Sequence, residues 1–273
     1  MEIQLLGPFG ATIRRESIVP TAGKPRQVLA LLALHPGRVL PVSTLMEEIW
    51  GTKPPASALT TLQTYILQLR RRLATAMDPG ASGTAKDVLA TRHGGYVLQI
   101  EPACTDVHQY ERLTASAQSA FEQNRDEQAS ATFSKALSLW QGPALVDVPL
   151  GPVLEIEVMR LEESRLVTTE RRIDADLRLG KHARLIAELF ELISRHPQHE
   201  GLHSQAMVAL YRSGRQASAL GVYRDLRTRL VEELGVEPSP QLQRLHQAIL
   251  TVDSRLDVLT GERQCSTFDL YAA

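Results

Sequence analysis

Residues 57–74, SALTTLQTYILQLRRRLA, constrain the fold more than any other stretch, because at 100° per residue they form a helix with two dissimilar faces. Leu59, Leu62, Ile66, Leu69 and Leu73 fall on one stripe, which must pack against other helices to leave water. Ser57, Thr60, Thr61, Thr64, Gln68 and Arg71 fall on the opposite side, a face of hydroxyls and an amide with almost no acid, running into Arg70-Arg71-Arg72. Short hydroxyl side chains let a helix approach closely, glutamine pairs with adenine or a phosphate, and arginine takes guanine or backbone phosphate. The helix is therefore a candidate for the major groove of duplex DNA. The plainer alternative is a threonine-rich helix that meets only solvent.

The neighbouring segments supply what such a helix needs. MEIQLLG and ATIRRESIVP alternate like short strands broken by Gly-Pro and Gly, which predicts a small N-terminal sheet. Pro25 suits a first helical turn; Val28, Leu29, Leu31, Leu32 and Leu34 give that helix its apolar face, and His35-Pro36-Gly37 ends it. Ser43 or Thr44 is expected to cap a second helix carrying Leu45, Ile49 and Trp50, with Thr44 and Glu47 spaced for a capping box and Gly51 as the stop. After the loop MDPGASGTAKD (77–87), the run VLATRHGGYVLQI (88–100) reads as a hairpin whose tip holds Arg92, His93, Gly94 and Gly95. A hairpin there is a wing, placing Arg92 and His93 to explore an adjacent minor groove; the bland alternative is a hairpin that only completes the core. Lys24, Arg26 and Lys53 are candidate phosphate contacts, and Tyr65 fits packing or phosphate donation equally.

Charge divides the chain in the same place. Residues 1–100 hold three Lys and eight Arg against two Asp and four Glu, a net of +5, while the remainder nets −6. A basic first half favours nucleic acid, since Lys and Arg near phosphates release condensed counterions. Cys104 and Cys265 lie far apart without metal-ligand spacing, and no apolar run approaches a membrane span of about 18 residues. No GxxxxGK or GxGxxG phosphate loop occurs, so no cofactor is expected.

In order, KPRQVLALLALHPGRVLPVSTLMEEIWG, TLQTYILQLRRRL and RHGGYVL resemble the winged helix-turn-helix domain of OmpR-type response regulators. Here that pattern begins at the first residue, with no receiver domain before it. This order resembles the Streptomyces antibiotic regulatory proteins, in which an OmpR-type domain is followed by a bacterial transcriptional activation domain. The second half carries the match further. From Asp106 to about Ile249 it reads as nearly continuous amphipathic helix, broken at Asn124-Arg125, Gly142-Pro143, Gly151-Pro152, Gly180, Pro197 and Gly214. Gly180 and Gly214 are separated by the tetratricopeptide period of about 34 residues, and Ala129, Phe133 and Ala136 sit at packing positions of a helix hairpin. The alternation of acids with arginine in VMRLEESRLVTTERRIDADLRL reads as wet helix faces.

HEGLH, residues 199–203, has the spelling of a zinc-peptidase helix, with two imidazoles one turn apart and Glu200 as base. Gly201 lies between the two histidines, Pro197 precedes them, and no third ligand is recognisable, so a repeat terminus fits better.

The expected protein is mainly α with small β-sheets: an N-terminal winged helix-turn-helix domain over 1–100, an all-α tetratricopeptide-like activation domain over 106–250, and a tail or linker over 251–273. It is read as a non-enzymatic transcriptional activator. Thr60, Thr61, Thr64, Gln68 and Arg71 face bases or phosphates, and Arg72 holds the backbone. The resemblance implies direct repeats near the −35 element of promoters for antibiotic biosynthesis, tandem or dimeric protomers, and recruitment of RNA polymerase holoenzyme through its sigma factor or alpha subunit. With no basic segment followed by a long apolar run at its N-terminus, no apolar span and two distant cysteines, the chain is read as a cytoplasmic, nucleoid-associated protein with no membrane contact. The rivals are a repeat scaffold whose winged helix docks protein, and the zinc peptidase.

Overall fold

The computed structural model describes residues 1–77, 83–253 and 256. The expected tail lies almost wholly outside them, as does the middle of the loop before the hairpin. Two compact units emerge: Met1–Thr114 with Lys135–Leu166, and Ala115–Ser134 with the chain from Val167 onward.

Unit 1 opens with an antiparallel sheet in the order β1 (Glu2–Gln4), β2 (Gly10–Ile13), β3 (Glu16–Ser17). Then follow α1 (Gly23–Leu34), β4 (Leu40–Pro41), α2 (Val42–Trp50), α3 (Ala58–Ala76), a short α4 (Ala85–Val88), β5 (Leu89–Arg92) and β6 (Gly95–Leu98). The second sheet has the order β4-β6-β5. Strand β4 was not expected; two residues carry no periodicity, and pairing with β6 is what makes them a strand. The expected capping box on α2 does not form: the helix starts at Val42 with Pro41 before it and no side-chain cap. A capping box does occur where a plain loop was expected, between Thr84 and Asp87 at the start of α4.

Val28, Leu31, Leu32, Leu45, Leu62, Ile66, Leu69 and Leu73 fill one core with Leu5 and Leu6 of the N-terminal segment. Leu59 does not join it. That side chain is 48% exposed, and Ala58 takes the buried place at the start of α3. The segment around Trp140, Ala144, Leu145 and Val148 packs into this same core. It is held by backbone bonds from Gln141 to the Leu6 carbonyl (2.8 Å) and from Leu145 to the Leu5 carbonyl (3.2 Å).

The remaining helices are α5 (Asp106–Glu122), α6 (Asp126–Leu137), α7 (Pro152–Arg178), α8 (His182–Arg195), α9 (Glu200–Arg212), α10 (Gln216–Leu234) and α11 (Pro240–Leu250). In unit 2 a single device ends helices repeatedly. Asn124, Gly180, Gly214 and Val252 take positive φ of 55°, 75°, 75° and 54°. In each case the next N–H reaches the carbonyl five residues back: Arg125 to Ala120, Lys181 to Asp176, Arg215 to Leu210 and Asp253 to Ala248, at 2.9 to 3.0 Å. This is the Schellman closure, which satisfies carbonyls that the helix leaves open and turns the chain sharply. Ala129 and Phe133 are fully buried beside Phe121 and Ala175.

The acid–arginine run of α7 is not simply a wet face, since Asp174 and Asp176 are only 7% and 6% exposed. Asp176 accepts from Ser130 Oγ (2.7 Å), Lys181 Nζ (2.7 Å) and Arg172 (3.0 Å). Asp174 accepts from Gln205 at 2.8 Å. A buried carboxylate persists only when its oxygens are satisfied. Sequence alternation does not reveal that satisfaction.

Candidate nucleic-acid interface

The outer face of α3 is built by the burial of its inner one. With Leu62, Ile66, Leu69 and Leu73 at most 1% exposed, helical geometry turns Ser57, Thr60, Thr64, Gln68 and Arg71 into solvent, with Thr61 half-buried at the edge. Thr61 and Thr64 donate their hydroxyl protons to the carbonyls of Ser57 and Thr60, at 2.9 and 3.0 Å. Thr75 does the same to Arg71 at 3.0 Å. These hydroxyls present lone pairs and methyl groups outward rather than protons.

The three consecutive arginines have separate fates. Arg70 reaches the wing, its guanidinium donating to the Leu89 carbonyl at 2.9 and 2.8 Å and to Thr91 Oγ1 at 2.8 Å. Arg72 lies exposed but donates once, to the Val19 carbonyl at 3.3 Å. Arg71 is exposed, and its guanidinium makes no hydrogen bond or ion pair among the described residues.

The wing pairs Thr91 with Tyr96 and Arg92 with Gly95, leaving His93 and Gly94 as the turn, with Gly94 at φ +78°. Arg92 and His93 are both exposed. Gly95 has a separate role: a Cβ there would lie 2.1 Å from the Leu40 carbonyl oxygen, so only glycine lets β4 close against β6.

Around the helix, Lys24 is exposed, with Nζ 5.2 Å from the centre of the Trp50 ring, and Lys53 is exposed just past α2. Tyr65 is half-buried and stacks on Trp50, centroids 6.5 Å apart, which favours packing over phosphate donation. Arg26 is not free for phosphate. Its guanidinium donates to the Pro20 carbonyl (3.1 Å), the Asp147 carbonyl (2.9 Å) and the Asp147 carboxylate (3.0 Å). Sequence reasoning also missed Leu67, 48% exposed on this outer side; the same 100° arithmetic that placed Thr64 places it 60° away.

HEGLH is occupied with structural work. His199 precedes α9 as its N-cap, accepting from the Leu202 N–H at 3.4 Å. His203, 3% exposed, has Nδ1 3.0 Å from the His199 carbonyl. The Glu200 carboxylate receives the Ser239 N–H at 3.1 and 3.0 Å together with the Ser239 hydroxyl, which fixes the start of α11. A Cβ on Gly201 would meet Glu170 Oε1 at 2.5 Å. Among the described residues no group of three or more His, Cys, Asp or Glu is placed to hold a metal ion. No described helix is long and apolar enough to cross a membrane.

Two family models match in sequence. Residues 16–98 match "Transcriptional regulatory protein, C terminal", and residues 105–250 match "Bacterial transcriptional activator domain". A winged helix-turn-helix joined to an activator domain defines a transcriptional activator. The chain is 54% identical over 257 residues to the regulatory protein DnrI of Streptomyces peucetius, covering 94% of each. It is 41% identical to the regulatory protein AfsR of Streptomyces griseus, over 94% of this chain and 25% of that one. It is 35% identical to the transcriptional regulator RedD of Streptomyces coelicolor, over 94% of this chain and 73% of that protein. Among solved structures, Mycobacterium tuberculosis EmbR in complex with a low affinity phosphopeptide superposes with a TM-score of 0.86 at 31% identity, over 99% of this chain and 67% of that one. The chain belongs to the Streptomyces antibiotic regulatory protein family and is a DNA-binding transcriptional activator.

Proposed function

We propose that α3 lies in the major groove, with Thr60, Thr61, Thr64, Gln68 and Arg71 on bases or phosphates and Arg72 on the backbone. Arg92 and His93 reach the neighbouring minor groove from the wing, and Lys24 and Lys53 contact phosphates. Arg26 is left out, because Asp147 already holds it. On this reading residues 1–100 bind DNA and 106–250 carry the activating function, without catalysis, in the cytoplasm at the nucleoid. Two protomers sit head to tail on direct repeats near the −35 element of antibiotic-biosynthesis promoters, spaced by about one helical turn or a multiple. Polymerase is then recruited through its sigma factor or alpha subunit.

The observation that carries this reading is Arg71. Its guanidinium is unpartnered among the described residues on an exposed, acid-free face, whereas Arg70, next to it in sequence, and Arg26, on α1, are spent internally. Selection from a randomised duplex library should yield a consensus, and Arg71→Ala should weaken binding to it by about 1–3 kcal/mol at fixed salt. Retention without sequence preference by the wild-type protein overturns the assignment.

A further inference from the structure

We propose that Leu67 is a specificity-determining residue of this activator, reading the methyl group of a thymine in the major groove. This rests on the placement of α3 in that groove given above. Leu67 is 48% exposed, although its helix offers a well-filled core in which Leu62, Ile66, Leu69 and Leu73 are buried. It lies on the same exposed side as Thr64, three residues before it, and Arg71, four residues after it, and those spacings make helix neighbours. Its hydroxyl neighbour Thr64 has committed its proton to the Thr60 carbonyl, so the methyl and lone pairs of that residue face outward beside the leucine.

Of the groups on major-groove base edges, the thymine C5-methyl is the one that rewards an apolar partner and asks for no hydrogen bond. Arg71, unpartnered among the described residues, supplies the complementary contact to guanine. One helical turn separates it from Leu67, a rise of about 6 Å, which is close to two base-pair steps of about 3.4 Å. The thymine is therefore expected within about two base pairs of the guanine taken by Arg71.

The test combines a base change with a residue change. Duplexes are first selected by the wild-type protein from a random library, and each thymine of the consensus is then replaced singly by deoxyuridine, which removes only the methyl. Wild-type binding should weaken about fourfold at one or two positions, the weight of one buried methylene-sized group. Leu67→Ala should bind the parent duplex correspondingly less well and lose that response at those positions alone. Its salt dependence should be unchanged, because no phosphate contact is removed. Equal responses of both proteins at every thymine, or a consensus without thymine, overturn the inference while leaving α3 as the reading helix. Binding with no consensus at all overturns the reading of α3 itself, and this inference with it.

Discussion

The two compact units solve the same problem, how to satisfy helix ends and hold segments together, by opposite means. Unit 1 uses carboxylates as long-range pegs for backbone N–H groups. Asp106 receives Leu5 and Leu6 at 2.9 to 3.0 Å, and Asp147 receives Phe9 at 2.6 Å. Glu162 receives Ala144 at 2.7 Å. Glu48, 2% exposed, receives Gly151, Val153 and Leu154 at 2.7 to 3.0 Å and so caps α7 from within α2. The helix dipole and the open N–H groups at that terminus are what make a buried carboxylate tolerable there. Unit 2 instead repeats one local turn at Asn124, Gly180, Gly214 and Val252. Its corresponding peg, Glu200 on Ser239, serves one residue. The difference teaches that a unit assembled from segments about 100 residues apart takes its anchors from carboxylates on backbone N–H groups, whereas a helical repeat ends its helices mainly by a turn that recurs along the chain, with buried carboxylates such as Asp174 and Asp176 tying side chains between helices.

The largest expected effect tests that contrast at its strongest point. Glu48→Ala strands three backbone donors and the Gln27 amide, and should destabilise by about 3–5 kcal/mol in urea unfolding, since each buried donor left without a partner costs about 1–3 kcal/mol. Glu200→Ala should cost about 1–2 kcal/mol, because it releases a single residue. Equal losses would mean that the two units are anchored alike.

A smaller effect sharpens the repeat side. Gly214 sits at φ +75° with open space where a Cβ would go, so Gly214→Ala meets backbone strain alone. It should cost about 1–2 kcal/mol by thermal or urea unfolding. The same change at a glycine in ordinary φ would cost less.

The smallest effect distinguishes the units by pH. Burial holds the imidazoles of His182, His203 and His246 in unit 2 below their ordinary pKa, with neighbouring arginines adding to it. The unfolded chain therefore binds more protons than the folded one below about pH 6.5, so stability is full above that value and falls as the medium is acidified. In unit 1 burial does the same at His35, but Glu157 at 3.6 Å works against it. Thermal melting from about pH 7.5 down to about 5.5 should show this slope, and His203→Gln should flatten it. A slope unchanged in that variant removes His203 as a contributor.

Legibility in the sequence followed the same division. The apolar stripe of α3, the hairpin after it and the helix breaks at Asn124, Gly180 and Gly214 were readable, because periodicity and turn chemistry are local. The expected cap at Thr44 failed, since Pro41 and the pairing of β4 with β6 set the start of α2. Leu59 was misplaced, because the wheel gives direction and not what lies opposite. Arg26, Arg70 and Arg71 look interchangeable in sequence, and Asp147 and the Leu89 carbonyl are what separate them.

The sequence by itself determined which segments are helices, where repeats turn and which face of α3 carries hydroxyls and guanidinium, since each follows from residues within a turn or two of one another. Tertiary structure alone decided which charges are free to meet a ligand. A guanidinium or carboxylate about 100 residues from its partner leaves no local trace, and only the folded chain sets the distance that satisfies it.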